Sequence, residues 1–254
     1  MKVAIITGAS SGIGKQFALQ IKDKCQFDEV WLIARNQARL DETASQLGFP
    51  TRTFSVDLSD TANFTPFLDV LNEVKPEITM LINCSGFGKF EAFMDTPIDE
   101  SLNMVDLNCK AVIAMTYHCI PFMPKGAKIL NVASVAAYQP IPYINVYAAT
   151  KSFVFYFSRA LNRELKKAGI SVTAVCPFWT KTAFFDRAIK KEGIVKKYAV
   201  MYDPADVVKK AYKDALKRKD VSIYGKYAKM QCALTKMICH KTVMNVWLNQ
   251  QKLK

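Results

Sequence analysis

The sequence lacks any apolar stretch able to cross a bilayer: the run 111–123 is well short of the roughly 20 residues a spanning helix needs. Its start also lacks a basic segment followed by a long apolar one, since Met1 leads through Lys2 straight into Val3-Ala4-Ile5-Ile6, so no secretory leader is expected. Imidazole is scarce, with His118 and His240 alone, and the seven cysteines (25, 84, 109, 119, 176, 232 and 239) include no C-x-x-C pair. That excludes a zinc or disulfide framework, so no metal is expected and a reducing cytoplasm is the expected setting. Gly and Pro are ordinary at ten each, which excludes collagen-like and low-complexity chains. Acidic residues are missing after Asp220: residues 1–180 carry 17 Lys/Arg against 16 Asp/Glu, whereas 181–254 carry 18 against 6.

What is present is a regular alternation. Short β-branched or apolar runs at 3–6, 30–34, 51–56, 78–83, 128–133 and 171–176 read as strands, and 221–224 would add a seventh after a helix over about 204–217. Helical periodicity fills the gaps, as in Phe17 and Ile21, or Phe64, Phe67, Leu68 and Leu71. Near-continuous apolar strands separated by helices predict an α/β fold, a Rossmann-type doubly wound parallel sheet of about seven strands covered on both faces. No repeat or linker divides the chain, so one domain is expected over 1–254: a core over 1–177, a lid over 178–202 and a basic amphipathic C-terminal helix over 226–254.

Three segments carry chemistry. Thr7-Gly8-Ala9-Ser10-Ser11-Gly12-Ile13-Gly14 lies where the first strand turns into the first helix. There Gly8, Gly12 and Gly14 let the backbone approach a pyrophosphate, and the helix start offers unpaired amides through Ser10, Ser11 and Ile13. Arg35 ends the second strand, where the adenosine ribose of a dinucleotide belongs; a planar guanidinium there suits a 2′-phosphate, so NADP(H) is the expected cofactor. Tyr147 and Lys151 stand at i and i+4 on one helix face, a spacing at which the ammonium would lower the phenol pKa. Ser134, at the end of the fifth strand, can reach the same sheet edge.

With these segments in order, the chain resembles the short-chain dehydrogenase/reductase family. Thr7 to Gly14 matches its T-G-x-x-x-G-x-G turn, Asn83-Cys84-Ser85-Gly86 its N-N-A-G segment, and Ser134, Tyr147 and Lys151 its catalytic set. The resemblance implies that Tyr147 is the general acid in carbonyl reduction and the base in alcohol oxidation. It implies too that Ser134 bonds the substrate oxygen and that Lys151 holds the nicotinamide ribose. Asn108 matches the additional Asn that supports a proton relay through Lys151. Asp57-Leu58 matches the pair beside the adenine, Asn83 and Gly86 would line the cofactor cleft, and Pro177, Thr180 and Thr182 fall in the segment beside the nicotinamide and pyrophosphate. Cys84-Ser85 stands where Asn-Ala is usual, Phe178 where Gly is customary, and Ser11 where many NADP-preferring members carry a basic residue.

The aromatic-rich stretch after Pro177, with Phe178, Trp179, Phe184, Phe185, Tyr198 and Tyr202, suits an apolar substrate such as a ketosteroid or fatty acyl group. Met230, Leu234, Met237, Met244, Trp247 and Leu248 recur at helical spacing in the basic tail, which could pack on the body or on a sister subunit of a dimer or tetramer, cover the cleft, or contact a membrane surface peripherally. The expected activity is NADP(H)-dependent reduction of a carbonyl, reversible as oxidation of a secondary alcohol. The alternative is a non-enzymatic NADP(H) sensor, against which the joint presence of Ser134, Tyr147, Lys151 and Asn108 argues. Basic charge without a recognition motif gives no reason to expect a nucleic-acid partner.

Overall fold

Strands that are apolar at nearly every position need cover on both faces, and such segments form the centre of one seven-stranded parallel sheet whose edge strands, β3 and β7, are more polar or shorter. The computed structural model describes residues 1–189, 194–195 and 200–253. In chain order its elements are β1 (Lys2–Thr7), α1 (Gly12–Leu19), β2 (Glu29–Ala34), α2 (Gln37–Ser45), β3 (Thr51–Ser55), α3 (Thr65–Val74), β4 (Glu77–Asn83), α4 (Ile98–Val105) and α5 (Ala111–Cys119). They continue with β5 (Lys128–Val132), α6 (Asn145–Glu164), β6 (Ser171–Val175), α7 (Phe184–Ala188), α8 (Pro204–Leu216), β7 (Val221–Ser222), α9 (Lys226–Met237) and α10 (His240–Gln251). The sheet order is β3-β2-β1-β4-β5-β6-β7, the doubly wound arrangement expected. No helix among the described residues is long and apolar enough to cross a membrane.

Side chains alternate between the two faces with the period of two that extended backbone imposes. Val3, Ile5, Trp31, Ile33, Leu81 and Ile129 pack on one side with Phe54, Phe67 and Met104, where Trp31, Phe54 and Phe67 meet at ring centroid distances of 5.4 to 6.1 Å. Ala4, Ile6, Val30, Leu32, Met80 and Ile82 pack on the other with Phe17, Leu40, Val208 and Tyr212. The sheet order reverses between β1 and β4, so the connections leaving these strands part to opposite faces and a crevice opens at their carboxyl ends. Thr7 ties the crevice together: its Oγ1 accepts the Cys84 and Ser85 amides at 3.0 and 3.1 Å.

Two segments differ from the sequence reading. β7 ends at Ser222, because Ile223 turns under α9 to pack with Ala228 and Cys232, while Tyr224 leaves to meet Tyr202 edge-on at 5.1 Å. The tail is two helices, not one over 226–254; the extended backbone of Ile238 and Cys239 breaks it and folds α10 back toward the cleft. Part of the expected lid, including Tyr198, lies outside the described residues.

Helix α1 is held from behind by α8, where the buried Tyr212 hydroxyl donates to the Phe17 carbonyl at 2.7 Å. Tyr212→Phe strands that buried carbonyl without its donor, and we expect it to lower stability by about 1 to 3 kcal/mol, read as a lower urea midpoint at constant m-value. An unchanged midpoint would show that the bond contributes nothing.

Candidate active site

The turn after β1 is built by close approach. Gly8 has a left-handed φ of 68° and donates its amide to the Ile33 carbonyl at 2.7 Å. A Cβ on Gly14 would lie 2.1 Å from the Gly8 carbonyl oxygen, so the first turn of α1 rests directly on the loop. Ser11 supplies no side-chain cap to α1, which leaves its first amides directed at the crevice. Gly8, Ser10, Ser11, Gly12, Ile13 and Gly14 all line a cleft of about 960 Å³. Thr182 closes over this turn, its side chain 3.3 Å from where a Gly12 Cβ would stand. Pro177 and Thr180 line the same cleft.

Arg35 and Leu58 line the cleft beyond the turn, and so does Arg39, in the first turn of α2. Asp57 is not part of that lining. It turns to Ser59 and to Arg35, whose Nη1 lies 3.6 Å from the carboxylate. Partial burial opposes the Asp57 charge, but the Ser59 bonds and Arg35 outweigh it and hold the carboxyl below its usual range. Asn83 also departs from its expected place. Its side chain turns into the interior, where Nδ2 donates to Thr116 Oγ1 at 3.1 Å and Asn131 Oδ1 at 2.9 Å. The backbone of the segment it begins, rather than the Asn83 side chain, reaches the cleft through Cys84, Ser85 and Gly86.

Ser134, Tyr147 and Lys151 converge where β5 ends and α6 passes over it. The Ser134 hydroxyl accepts the Ala136 amide at 3.1 Å and acts on the phenol by lowering its pKa. Lys151 is buried, donates from Nζ to the Val132 carbonyl at 2.8 Å, and sits 5.7 Å from the centre of the Tyr147 ring. Burial pulls its ammonium down to about 8. The expected lowering of Tyr147 by Lys151 is not what these contacts produce. Burial pushes the phenol up to about 12, opposed by the Ser134 hydroxyl, while the ammonium donates to the Val132 carbonyl.

Asn108 lies in a π-helical turn over Asp106–Lys110, which joins α4 to α5. Its side chain makes structural bonds: Oδ1 accepts the Phe87 amide at 3.0 Å, and Nδ2 donates to the Phe87 carbonyl at 2.9 Å and to Thr150 Oγ1 at 3.0 Å. It therefore fixes the loop carrying Gly86. A Cβ on Gly86 would fall 2.8 Å from Asn108 Oδ1 and 3.3 Å from Lys151 Nζ, so only glycine leaves both groups in place.

Three further residues, Arg39, Phe90 and Arg187, shape the cleft without a role predicted from the sequence. Phe90 is buried against Tyr147, Trp179, Phe184 and Phe185 at centroid distances of 5.9 to 6.5 Å. Arg187 lays its guanidinium 3.5 Å from the Phe87 ring centre and reaches Glu100 at 3.3 Å. Trp247 of α10 stacks on Trp179. For Arg39 the sequence did hold a signal, a second arginine four residues after Arg35; Phe90 and Arg187 lie in segments with no local pattern.

A family model described as short chain dehydrogenase matches residues 2–193. An uncharacterized oxidoreductase of Staphylococcus epidermidis is 31% identical over 178 residues, 69% of this chain and 76% of that protein. A very-long-chain 3-oxoacyl-CoA reductase of Coprinopsis cinerea is 38% identical over 182 residues, 68% of this chain and 52% of the relative, so the match spans about half of that protein. A short-chain dehydrogenase from Sphingobium yanoikuyae in complex with NADPH superposes with a TM-score of 0.80 at 27% identity, covering 96% of each chain.

Because a Gly14 Cβ would lie only 2.1 Å from the Gly8 carbonyl oxygen, Gly14→Ala must displace the turn. We expect NADPH to bind at least about tenfold more weakly, a loss of about 1.4 kcal/mol, in a titration followed by protein fluorescence. Unaltered affinity would remove the turn from the binding site.

Proposed function

The chain belongs to the short-chain dehydrogenase family, and from that premise we propose that it is an NADP(H)-dependent reductase of apolar ketones with Tyr147 as its acid. It is an oxidoreductase of the carbonyl and secondary alcohol couple, on a fold that binds nicotinamide cofactors. The observation that carries the proposal is the convergence of Ser134, Tyr147 and Lys151 in the cleft that also holds the glycine turn.

The residues present fit a phosphorylated dinucleotide. The turn from Gly8 to Gly14, with Thr182 above it, would take the pyrophosphate; Arg35 and Arg39 would take the 2′-phosphate; Leu58 would flank the adenine; and Lys151 would hold the nicotinamide ribose. Pro177 and Thr180 would bound the nicotinamide side. When bound, the cofactor supplies a hydride in reduction and accepts one in oxidation. Ser134 orients the carbonyl oxygen by a hydrogen bond, and Tyr147 delivers the proton to that oxygen. A phenol pushed up to about 12 is protonated at neutral pH, the form in which it would donate to a carbonyl oxygen. Asn108 supports proton delivery indirectly, by holding the Gly86 loop against Lys151.

An aromatic wall of Phe90, Phe184, Phe185 and Trp179 favours a substrate with a large apolar body, of ketosteroid or fatty acyl type. The relatives named as 3-oxoacyl-CoA reductases support the acyl branch of that reading. Self-association into a homo-oligomer belongs to it as well, since Leu102, Val105, Ile113 and Tyr117 of α4 and α5, with Phe153 and Tyr156 of α6, leave apolar side chains bare.

Tyr147→Phe should lower kcat for ketone reduction by about 10² to 10⁴ while NADPH affinity stays near the parent value. Turnover close to the parent level would assign the acid elsewhere. Removing the cations with Arg35→Ser and Arg39→Ser should raise KM for NADPH at least about tenfold and leave KM for NADH nearly unchanged. A constant ratio of the two KM values would contradict the assignment of the 2′-phosphate.

A further inference from the structure

The basic tail is amphipathic, and the structure settles which way its apolar side faces. Met230 and Leu234 stand four apart on α9, with Ile238 just past its end, and on α10 Val243, Val246 and Trp247 recur at three and four. All six line the cleft that holds Tyr147. Lys229, Lys236 and Lys241 project from other faces of the same helices and are exposed. The stripe is therefore spent on the cleft, which argues against its serving as a membrane-facing surface.

Within the concavity these side chains are under-covered: Met230 is 53% exposed, Leu234 45% and Val246 49%. Bare apolar surface inside a cleft is what an apolar ligand covers. Charge follows the same division. Arg35 and Arg39 stand at the nucleotide end, whereas α9 and α10 contribute no charged residue to the lining; their polar groups there include the carboxamides of Gln231 and Gln250. One residue fixes the tail to the catalytic body. Trp247 is 8% exposed, donates from Nε1 to the Pro142 carbonyl at 3.0 Å, and lies nearly parallel to Trp179, at 20° and 6.5 Å between ring centres. Pro142 sits three residues before α6, the helix that carries Tyr147 and Lys151.

We propose that the α9–α10 hairpin is the outer wall of the substrate site, latched by Trp247, and that the substrate is an elongated uncharged apolar body running from Tyr147 along this hairpin. This deepens the reductase reading and rests on it for the position of the reacting carbonyl. The ligand is identified by its chemistry, an acyl chain or fused-ring skeleton whose distal polar groups are neutral, matched to methionine, leucine and valine side chains with a few carboxamides.

The test uses the full chain and the methyl ester of cis-parinaric acid, a neutral fluorescent polyene, as the probe. Leu234→Gln and Val246→Gln alter half-exposed positions that the fold tolerates, checked by an unchanged thermal midpoint. Each should weaken probe binding at least tenfold. Met237→Gln, 85% exposed and off the cleft stripe, should leave it unchanged. Trp247→Phe should speed amide exchange in α10 while leaving β1 to β6 protected. Equal probe affinity in parent, Leu234→Gln and Val246→Gln, or no binding to the parent at all, overturns the wall; unaltered exchange in Trp247→Phe overturns the latch. The parent's NADPH-dependent turnover of a ketone panel is measured in parallel: probe binding without any turnover refutes the reductase reading and leaves the wall standing, whereas turnover with indifferent variants refutes the wall alone.

Discussion

A buried ammonium held by one backbone carbonyl organises the site. Lys151 lies 5% exposed behind Tyr147, with Val132 as its acceptor at the end of the fifth strand. Pulling it from the ordinary 10.5 to about 8 means that the folded chain holds this charge at neutral pH at a cost of about 3 kcal/mol relative to a solvated lysine. The sign is that of a depressed lysine: between about pH 8 and 10.5 the unfolded chain binds the extra proton, so raising pH through that window favours the fold. Such a charge persists only where the surroundings fix it, and here Gly86, Asn108 and the Tyr147 ring leave it one position.

The fold supplies those surroundings through its topology. A parallel sheet with the order β3-β2-β1-β4-β5-β6-β7 puts the carboxyl ends of β1, β4 and β5 side by side, and each contributes one wall: the glycine turn, the Gly86 loop and Ser134. Along the cleft the chemistry changes from two arginines, through the buried lysine and phenol, to a neutral apolar stretch under α9 and α10, while the further cation of the lining, Arg187, is paired with Glu100. A phosphorylated cofactor and an apolar substrate would therefore be sorted to opposite ends by charge before any specific contact forms.

Much of this was legible in the sequence, for a physical reason. Strands buried on both faces are apolar at every position, so 3–6 and 30–34 announce themselves; Gly8, Gly12, Gly14, Ser134, Tyr147 and Lys151 sit at element ends or one helical turn apart, where local geometry dictates their direction. What was not legible depends on partners distant in sequence. Asn83 faces inward because Thr116 and Asn131 meet it there, and Asp57 leaves the cleft wall for Ser59 and Arg35. The tail shows a continuous helical pattern, and its break at Ile238 makes sense only once two stripes must face one cleft. The i and i+4 spacing of Tyr147 and Lys151 announced their proximity but not the Val132 carbonyl that claims the ammonium, nor the burial that outweighs charge at the phenol.

The measurement that tests this account most directly is a pH titration of Lys151 itself, following the ¹³Cε resonance of labelled lysine and assigning it by its loss in Lys151→Arg. A midpoint near 8, distinct from the other lysines, is the expected result. A midpoint at the ordinary value near 10.5 would mean a solvated ammonium, and the buried charge on which the site is built would not exist.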